Sequence, residues 1–196
     1  MFWRIITGGL IVCTLLAIVF HIRAKGQRGD EDNSLQALPR TISLTSKSFP
    51  PRGDLPLVCS CQGSGLSPAL AWETPLNNVV SYAVLATDYD AVLARFPILN
   101  FSHWVLYNLP PTVRSLPEGV TPEQMTLLGG KIGRNGMGDQ SFVPPCPSFD
   151  RHNYVFRIYA LDTLLTFTGL PDRQDLLQAM QGHIIAYGEL TGGFEK

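Results

Sequence analysis

The pattern of apolar and polar positions divides the chain into three parts. An almost unbroken apolar run extends from Ile5 to Ile22. As a helix rising about 1.5 Å per residue it would be roughly 27 Å long, close to the thickness of a bilayer core. Residues 26–37 are polar and predict a flexible linker. From residue 38 onwards short apolar runs alternate with turn residues, which indicates one folded domain over 38–196.

Within this domain the apolar runs are short and bounded by proline and glycine, which predicts strands rather than helices. The predicted strands cover residues 41–49, 55–61, 79–90, 101–111, 151–162 and 183–190. A single soluble helix is predicted over 172–181, where Asp172 can cap the start and Gly182 ends it. The turn-rich stretch 112–139 is predicted to be loop. The domain is therefore expected to be antiparallel and mainly β, with one late helix.

Residues 1–25, which contain the apolar run, have two main interpretations. No small-residue cleavage pattern follows the run, since Arg23 and Lys25 come next, and this favours an uncleaved membrane anchor over a cleaved export signal. A helix buried in the fold is the third alternative. The basic residues after the run argue for a cytoplasmic domain, whereas the position of the run at the N-terminus favours an exported, periplasmic one.

Composition indicates one domain and argues against nucleic-acid binding. The 196 residues are 45% hydrophobic, which suffices for one domain with a core. The formal net charge is −1 and the sequence pI is about 6.4, so nucleic acid is not an expected partner.

The cysteines leave two possibilities open. Cys13 lies in the apolar run, so at most one internal bridge can form in the domain. Buried free thiols are one possibility, and a bridge from Cys59 or Cys61 to Cys146 is the other if the domain is exported. The Cys59-Ser60-Cys61 pair lacks the second pair that a zinc site needs.

Polar side chains stand at the ends of three predicted strands. His103 and His152 lie near the starts of two strands, Tyr154 is two positions beyond His152, and Asp88 and Asp90 end a third. Strand ends gather loops, so these side chains are candidates to converge in a pocket. Carboxylates raise the pKa of a nearby imidazole, and imidazolium groups with a phenol would suit a phosphate. The alternative for each histidine is a purely structural role.

The order of the motifs resembles the phosphatidylethanolamine-binding protein family, in its bacterial Raf-kinase-inhibitor-like (YbhB/YbcL) branch. The motifs are SPALAW (67–72), DYDAV (88–92), HWVLYNLP (103–110), PPCPS (144–148), HNYVFRIYALD (152–162) and GHIIAYGEL (182–190). The resemblance implies an antiparallel Greek-key β-sandwich with peripheral helices and a small anion pocket. It implies that the pocket is lined by Asp88, Asp90, His103, His152 and Tyr154, with Pro147 in the rim.

Several positions depart from the family pattern. Tyr89 and Val92 replace the two prolines of the family's Asp-Pro-Asp-Ala-Pro motif, and Asn153 replaces the arginine of His-Arg-Tyr. Val143 and Pro144 stand where glycine is usual, and Phe142 stands where related bacterial sequences tend to carry tyrosine. These changes predict an altered rim around retained histidines and acids.

The expected function is therefore a non-catalytic binding module for phosphate-like or phospholipid headgroups, without a cofactor. It extends to modulation of a partner protein, in the manner of the family's kinase inhibitors. One alternative is a hydrolase or metal enzyme that uses the Asp/His cluster, although the chain has no Gly-x-Ser-x-Gly nucleophile motif. The other alternative is a membrane-tethered interaction domain with a vestigial pocket.

Overall fold

The computed structural model describes the backbone of residues 2–196 and the side chains from residue 12 onwards. The helices are α1 (Phe2–Gln36), α2 (Pro122–Leu127) and α3 (Arg173–Met180). The strands are β1 (Ser43–Thr45), β2 (Leu70–Glu73), β3 (Ser81–Asp88), β4 (Phe101–Leu109), β5 (Ser115–Leu116), β6 (Lys131–Ile132), β7 (His152–Leu161) and β8 (Ile184–Phe194).

The strands form two sheets. A five-stranded sheet has the order β6-β4-β3-β7-β8, and a three-stranded sheet has the order β1-β2-β5. Neighbouring strands in both sheets pair antiparallel. The long apolar run at 79–90 forms β3, which lies in the middle of the large sheet with every residue buried. The mainly β, antiparallel prediction is confirmed; its Greek-key connectivity stays a prediction.

The two faces of the large sheet are covered differently, because side chains alternate along each strand. On one face Val84 and Ala86 of β3 belong to a core shared with Trp72 of the small sheet. On the other face Ala83 and Leu85 belong to a second core, which includes Leu176 and Met180 of α3 and Leu35 of α1. The sheet is therefore buried on both faces, and the end of α1 packs with α3 on one of them.

Helix α1 differs from the prediction for residues 26–37. These residues continue the helix as far as Gln36 instead of forming an irregular linker, since Glu31 and Leu35 are buried against the domain. Part of the predicted anchor, residues 1–11, lies outside the side chains that the structure describes. Among the described residues, no helix is both long enough and apolar enough to cross a membrane.

Two shorter predictions were wrong. Residues 55–61 were predicted as a strand, but Leu57–Cys59 form a 3-10 helix that begins directly after Pro56. The predicted loop 112–139 contains α2, whose start is fixed by a capping box between Thr121 and Gln124. Both segments are too short for apolar periodicity to reveal them.

A disulfide joins Cys61 to Cys146, and Cys59 is a buried free thiol. The buried free thiol is therefore realised by Cys59, and the bridge by Cys61 with Cys146. Burial raises the pKa of the Cys59 thiol to about 11, which keeps it protonated. The disulfide ties the segment around residue 61 to the segment that follows Phe142.

Candidate functional site

The antiparallel register brings the ends of three strands together. Asp88, the last residue of β3, is paired with Phe101 of β4 on one side and with Tyr154 of β7 on the other. The starts of β4 and β7 therefore flank the end of β3. His103 and His152 lie two positions from these paired residues, so the convergence of both histidines on Asp88 follows from the sheet.

A β-bulge positions His103. Ala86 of β3 is paired with Trp104 and Thr87 with Ser102, so His103 is an extra residue without a partner in the register. A bulge bends its strand and re-aims the side chain. The His103 ring accordingly lies 5.0 Å from the ring of Tyr154, edge to face. Sequence reasoning missed the bulge because the pairing that creates it is not visible in β4 alone.

His152 and Asp88 form a buried pair. Nδ1 of His152 donates to Oδ2 of Asp88 at 2.8 Å, and both residues are less than 5% exposed. The other oxygen of Asp88 accepts from the backbone N–H of Asp90 at 2.8 Å. Burial raises the pKa of Asp88, while these two hydrogen bonds oppose the rise. The carboxylate therefore fixes the orientation of the imidazole ring.

Nε2 of His152 is buried and has no hydrogen-bond partner among the described residues. Buried polar groups are paired in most proteins, so such an atom needs an explanation. A ring held by Asp88 on one side thus has its other nitrogen free to contact a bound molecule.

His103 is held by a backbone carbonyl instead of a carboxylate. Its Nδ1 donates to the carbonyl oxygen of Val143 at 2.7 Å, and its own carbonyl accepts from the N–H of Val143 at 2.9 Å. Burial lowers the pKa of His103 to about 4, so the ring is neutral at pH 7. The expectation of two imidazolium donors is thus wrong for His103, whose Nε2 carries a lone pair and accepts.

Tyr154 lies between the two histidines, with its ring 5.0 Å from that of His103 and 6.5 Å from that of His152. Burial, with the charges of Asp88 and Asp90, raises the pKa of its phenol. The hydroxyl therefore stays protonated and remains a hydrogen-bond donor at neutral pH.

Asp90 is used differently from Asp88. Its Oδ2 accepts from the backbone N–H of Asn153 at 2.9 Å and from the Asn153 side chain at 3.0 Å. Asn153 stands where the family motif has arginine, so the partner of Asp90 is neutral here. Asp90 also borders a cavity of about 230 Å³. Neither histidine lines that cavity.

Pro147 is buried in the segment that follows Phe142. Other residues of this segment make the contacts with His103 and its neighbours. Val143 supplies the carbonyl for His103, and the ring of Phe142 lies 6.5 Å from that of His103 and 5.7 Å from that of Trp104. The backbone carbonyl of Val143 is a functional group that sequence reasoning did not find, because side-chain types do not report backbone contacts.

Asp88, His103, His152 and Tyr154 thus form one buried cluster, which we call the histidine cluster, with Asp90 at its edge. Among the side chains that the structure describes, no group of three or more His, Cys, Asp or Glu residues is placed to hold a metal ion.

Comparison with known proteins agrees with this architecture. The family model for phosphatidylethanolamine-binding protein matches residues 45–195. A UPF0098 protein of Methanothermobacter thermautotrophicus is 34% identical over 156 residues, which cover 79% of this chain and 99% of the relative.

Two solved structures are similar over the same share of the chain. CT736 of Chlamydia trachomatis, a homologue of phosphatidylethanolamine-binding protein (PEBP), has a TM-score of 0.72 and 35% identity, over 80% of this chain and 99% of its own. YbcL of E. coli, described as a member of the mammalian PEBP family, has a TM-score of 0.70 and 26% identity, over 79% and 98%. The resemblance of the motifs is confirmed, and the chain belongs to the phosphatidylethanolamine-binding protein family.

Proposed function

We propose that the chain is a non-catalytic binding module, and that the histidine cluster takes a small phosphate-bearing headgroup. The observation that carries this proposal is the unpaired, buried Nε2 of His152, whose ring is fixed by Asp88. Membership of a family named for phospholipid binding supports binding rather than catalysis.

The charges of the cluster favour a particular kind of headgroup. Asp88 and Asp90 are acidic groups, His103 is neutral, and the hydroxyl of Tyr154 is a donor to an anion, with the unpaired Nε2 of His152 beside it. Two carboxylates beside one imidazole disfavour a bare phosphate dianion. A zwitterion such as phosphoethanolamine fits better, because its ammonium group can approach the acids while its phosphate accepts from Tyr154, and from Nε2 of His152 when both ring nitrogens carry hydrogen.

The test is an NMR titration of the full chain, with histidine rings labelled, against phosphate and O-phosphoethanolamine. We expect saturable shifts at the rings of His103 and His152, with tighter binding of O-phosphoethanolamine. The His152→Gln variant should lose the response. His183→Gln is the matched control, because His183 is exposed and bonded to Asp162 away from the cluster. No shift at millimolar ligand would contradict the proposal and favour a vestigial pocket.

We also propose that the apolar run attaches the domain to a membrane on the exported side. Between residues 12 and 22 the described apolar side chains are largely solvent-exposed, with Val19 at 59% and Ile22 at 63%. The Cys61–Cys146 disulfide supports an oxidising compartment. Recovery of the chain in the membrane fraction, with the domain cleaved by protease added outside the membrane, is the expected result. Modulation of a partner protein stays a prediction.

A further inference from the structure

The face of the large sheet opposite the histidine cluster carries two buried arginines. Arg157 of β7 and Arg173 at the start of α3 are each 7% exposed. Buried guanidinium groups need paired anions, because removing them from water is costly. The anion that lies between them is Glu31 of α1, which is 8% exposed.

Glu31 is bound by four donors. Its Oε1 accepts from Nη1 of Arg157 at 2.8 Å and from the hydroxyl of Tyr159 at 3.1 Å. Its Oε2 accepts from the hydroxyl of Tyr89 at 2.7 Å and from Nη2 of Arg173. Two donors on each oxygen, one of them charged, satisfy a carboxylate well.

The domain contributes its own contacts to hold these donors in place, and Asp32 of α1 adds one bond, accepting from Nη2 of Arg157 at 2.8 Å. Nε of Arg157 donates to Glu189 of β8 at 2.7 Å, and Nε of Arg173 donates to the hydroxyl of Thr87 at 3.2 Å. Nη1 of Arg157 also donates to the hydroxyl of Tyr89 at 2.9 Å. Strands β3, β7 and β8 and helix α3 therefore preorganise the donors.

Both phenols remain donors at physiological pH. Burial, with the charge of Glu31, raises the pKa of Tyr89 to about 12 and raises that of Tyr159 as well. The hydroxyls of Tyr89 and Tyr159 can therefore donate to a carboxylate and do not compete with it as anions.

We infer that Arg157, Arg173, Tyr89 and Tyr159 form a second ligand site, specific for a carboxylate, which in this chain is occupied by Glu31. The site would accept a small monocarboxylate if the Glu31 side chain were removed. It is independent of the headgroup proposal, since it lies on the other face of the sheet and uses none of the residues of the histidine cluster.

Two observations separate this site from the family's shared features. The match to the family begins at residue 45, after the end of α1, so the occupant lies outside the shared domain. Tyr89 stands where the family motif has proline, and a proline there could not donate to Glu31. The tyrosine at position 89 thus supplies the carboxylate site with a donor that the family's proline would lack.

Loss of the carboxylate would leave one arginine with no countercharge. In the described part of the chain Arg157 also pairs with Asp32 and Glu189, whereas Glu31 is the one ion-pair partner of Arg173. A buried, uncompensated guanidinium should bind an added anion of the right shape.

The test is chemical rescue of Glu31→Ala in the full chain. We expect the Tm of the variant to fall by roughly 6 °C or more. Formate or acetate should restore much of the loss in a saturable manner, whereas chloride at equal ionic strength should not. The wild type should not respond, because its site is filled. The matched control is Asp32→Ala, which removes the more exposed, neighbouring carboxylate but leaves the site occupied. Equal effects of acetate and chloride on Glu31→Ala would overturn the inference.

A second variant covers the case in which Glu31→Ala does not fold. Glu31→Gln keeps the side-chain size and removes the charge. Amide hydrogen exchange over residues 24–35 should then quicken by about a hundredfold relative to wild type. Exchange in β2 of the small sheet should stay unchanged. The Asp32→Asn control should quicken exchange in α1 far less, because Asp32 is the more exposed partner of Arg157. Unaltered exchange of α1 in Glu31→Gln would show that Glu31 is not the ligand that holds the helix.

Discussion

At the residue scale, the neutral state of His103 makes a prediction about pH. Its folded pKa of about 4 lies below the usual 6.5, so the unfolded chain binds a proton at higher pH than the folded chain. The contribution of the unprotonated His103 ring to the free energy of unfolding is therefore fully present above pH 6.5, and it is lost as the pH falls towards 4. The full loss is about 3 kcal/mol. Urea unfolding of the wild type and of His103→Gln between pH 7 and 4.5 should show the steeper fall in the wild type. If the free energy of unfolding fell equally with pH in the wild type and in His103→Gln, the neutral state of His103 would be contradicted.

A second residue-scale prediction concerns Val92, which stands where the family motif has its second proline. Val92 has a φ of 78°, in the region that favours glycine, and its side chain is 46% exposed. A branched side chain is strained there and has little packing to lose. Val92→Gly should therefore raise the free energy of unfolding by about 0.5–1 kcal/mol. Val92→Pro should lower it, because proline fixes φ near −65°. Chemical denaturation of both variants measures the difference; destabilisation by glycine would refute the strain.

At the scale of elements, the disulfide should control the histidine cluster. Cys146 lies three residues after Val143, whose carbonyl holds His103, and Cys61 anchors that segment across 85 residues of chain. Reduction should destabilise the domain by up to about 4.5 kcal/mol in the chain-entropy account. It should also weaken headgroup binding, since the segment can then move. Scanning calorimetry measures the loss of stability and titration calorimetry measures the headgroup affinity, each with and without dithiothreitol.

The buried free cysteine, Cys59, supplies the control for that experiment. Cys59→Ala should keep the redox response, because Cys59 lies outside the bridge. Cys146→Ser should abolish the response. Identical headgroup affinity before and after reduction of the wild type would show that the bridge stabilises the fold without orienting His103.

Some of the strands and helices could be predicted from the sequence, and others could not. β3, β4, β7 and β8 were predicted because their long apolar runs carry the signal in themselves. Residues 26–36 of α1, which pack on the domain, were predicted as a linker, since Glu31 is polar and its partners Arg157 and Arg173 are more than a hundred residues away. The convergence on Asp88 was predictable from strand ends; the bulge at His103 was not, since it depends on pairing.

At the scale of the whole molecule, the end of β3 connects the two sites. Asp88 faces the histidine cluster and Tyr89 faces the carboxylate site, while Asp90 bonds to Asn153 and borders a cavity that Tyr89 also lines. Since three consecutive residues serve both faces, a change at one site should shift the backbone that serves the other. We therefore expect the two sites to be energetically coupled, although they share no side chain.

A double-mutant cycle on stability measures this coupling. Glu31→Gln and His152→Gln, alone and together, should give an interaction energy of at least about 0.5 kcal/mol. The control cycle combines Glu31→Gln with Asp54→Asn, because Asp54 pairs with Arg151 near the surface and belongs to neither site. Additivity in the control and coupling in the first cycle would establish that docking of α1 and the state of the histidine cluster are linked. Additivity in both would mean that β3 is rigid enough to insulate its two faces, and that α1 serves attachment alone.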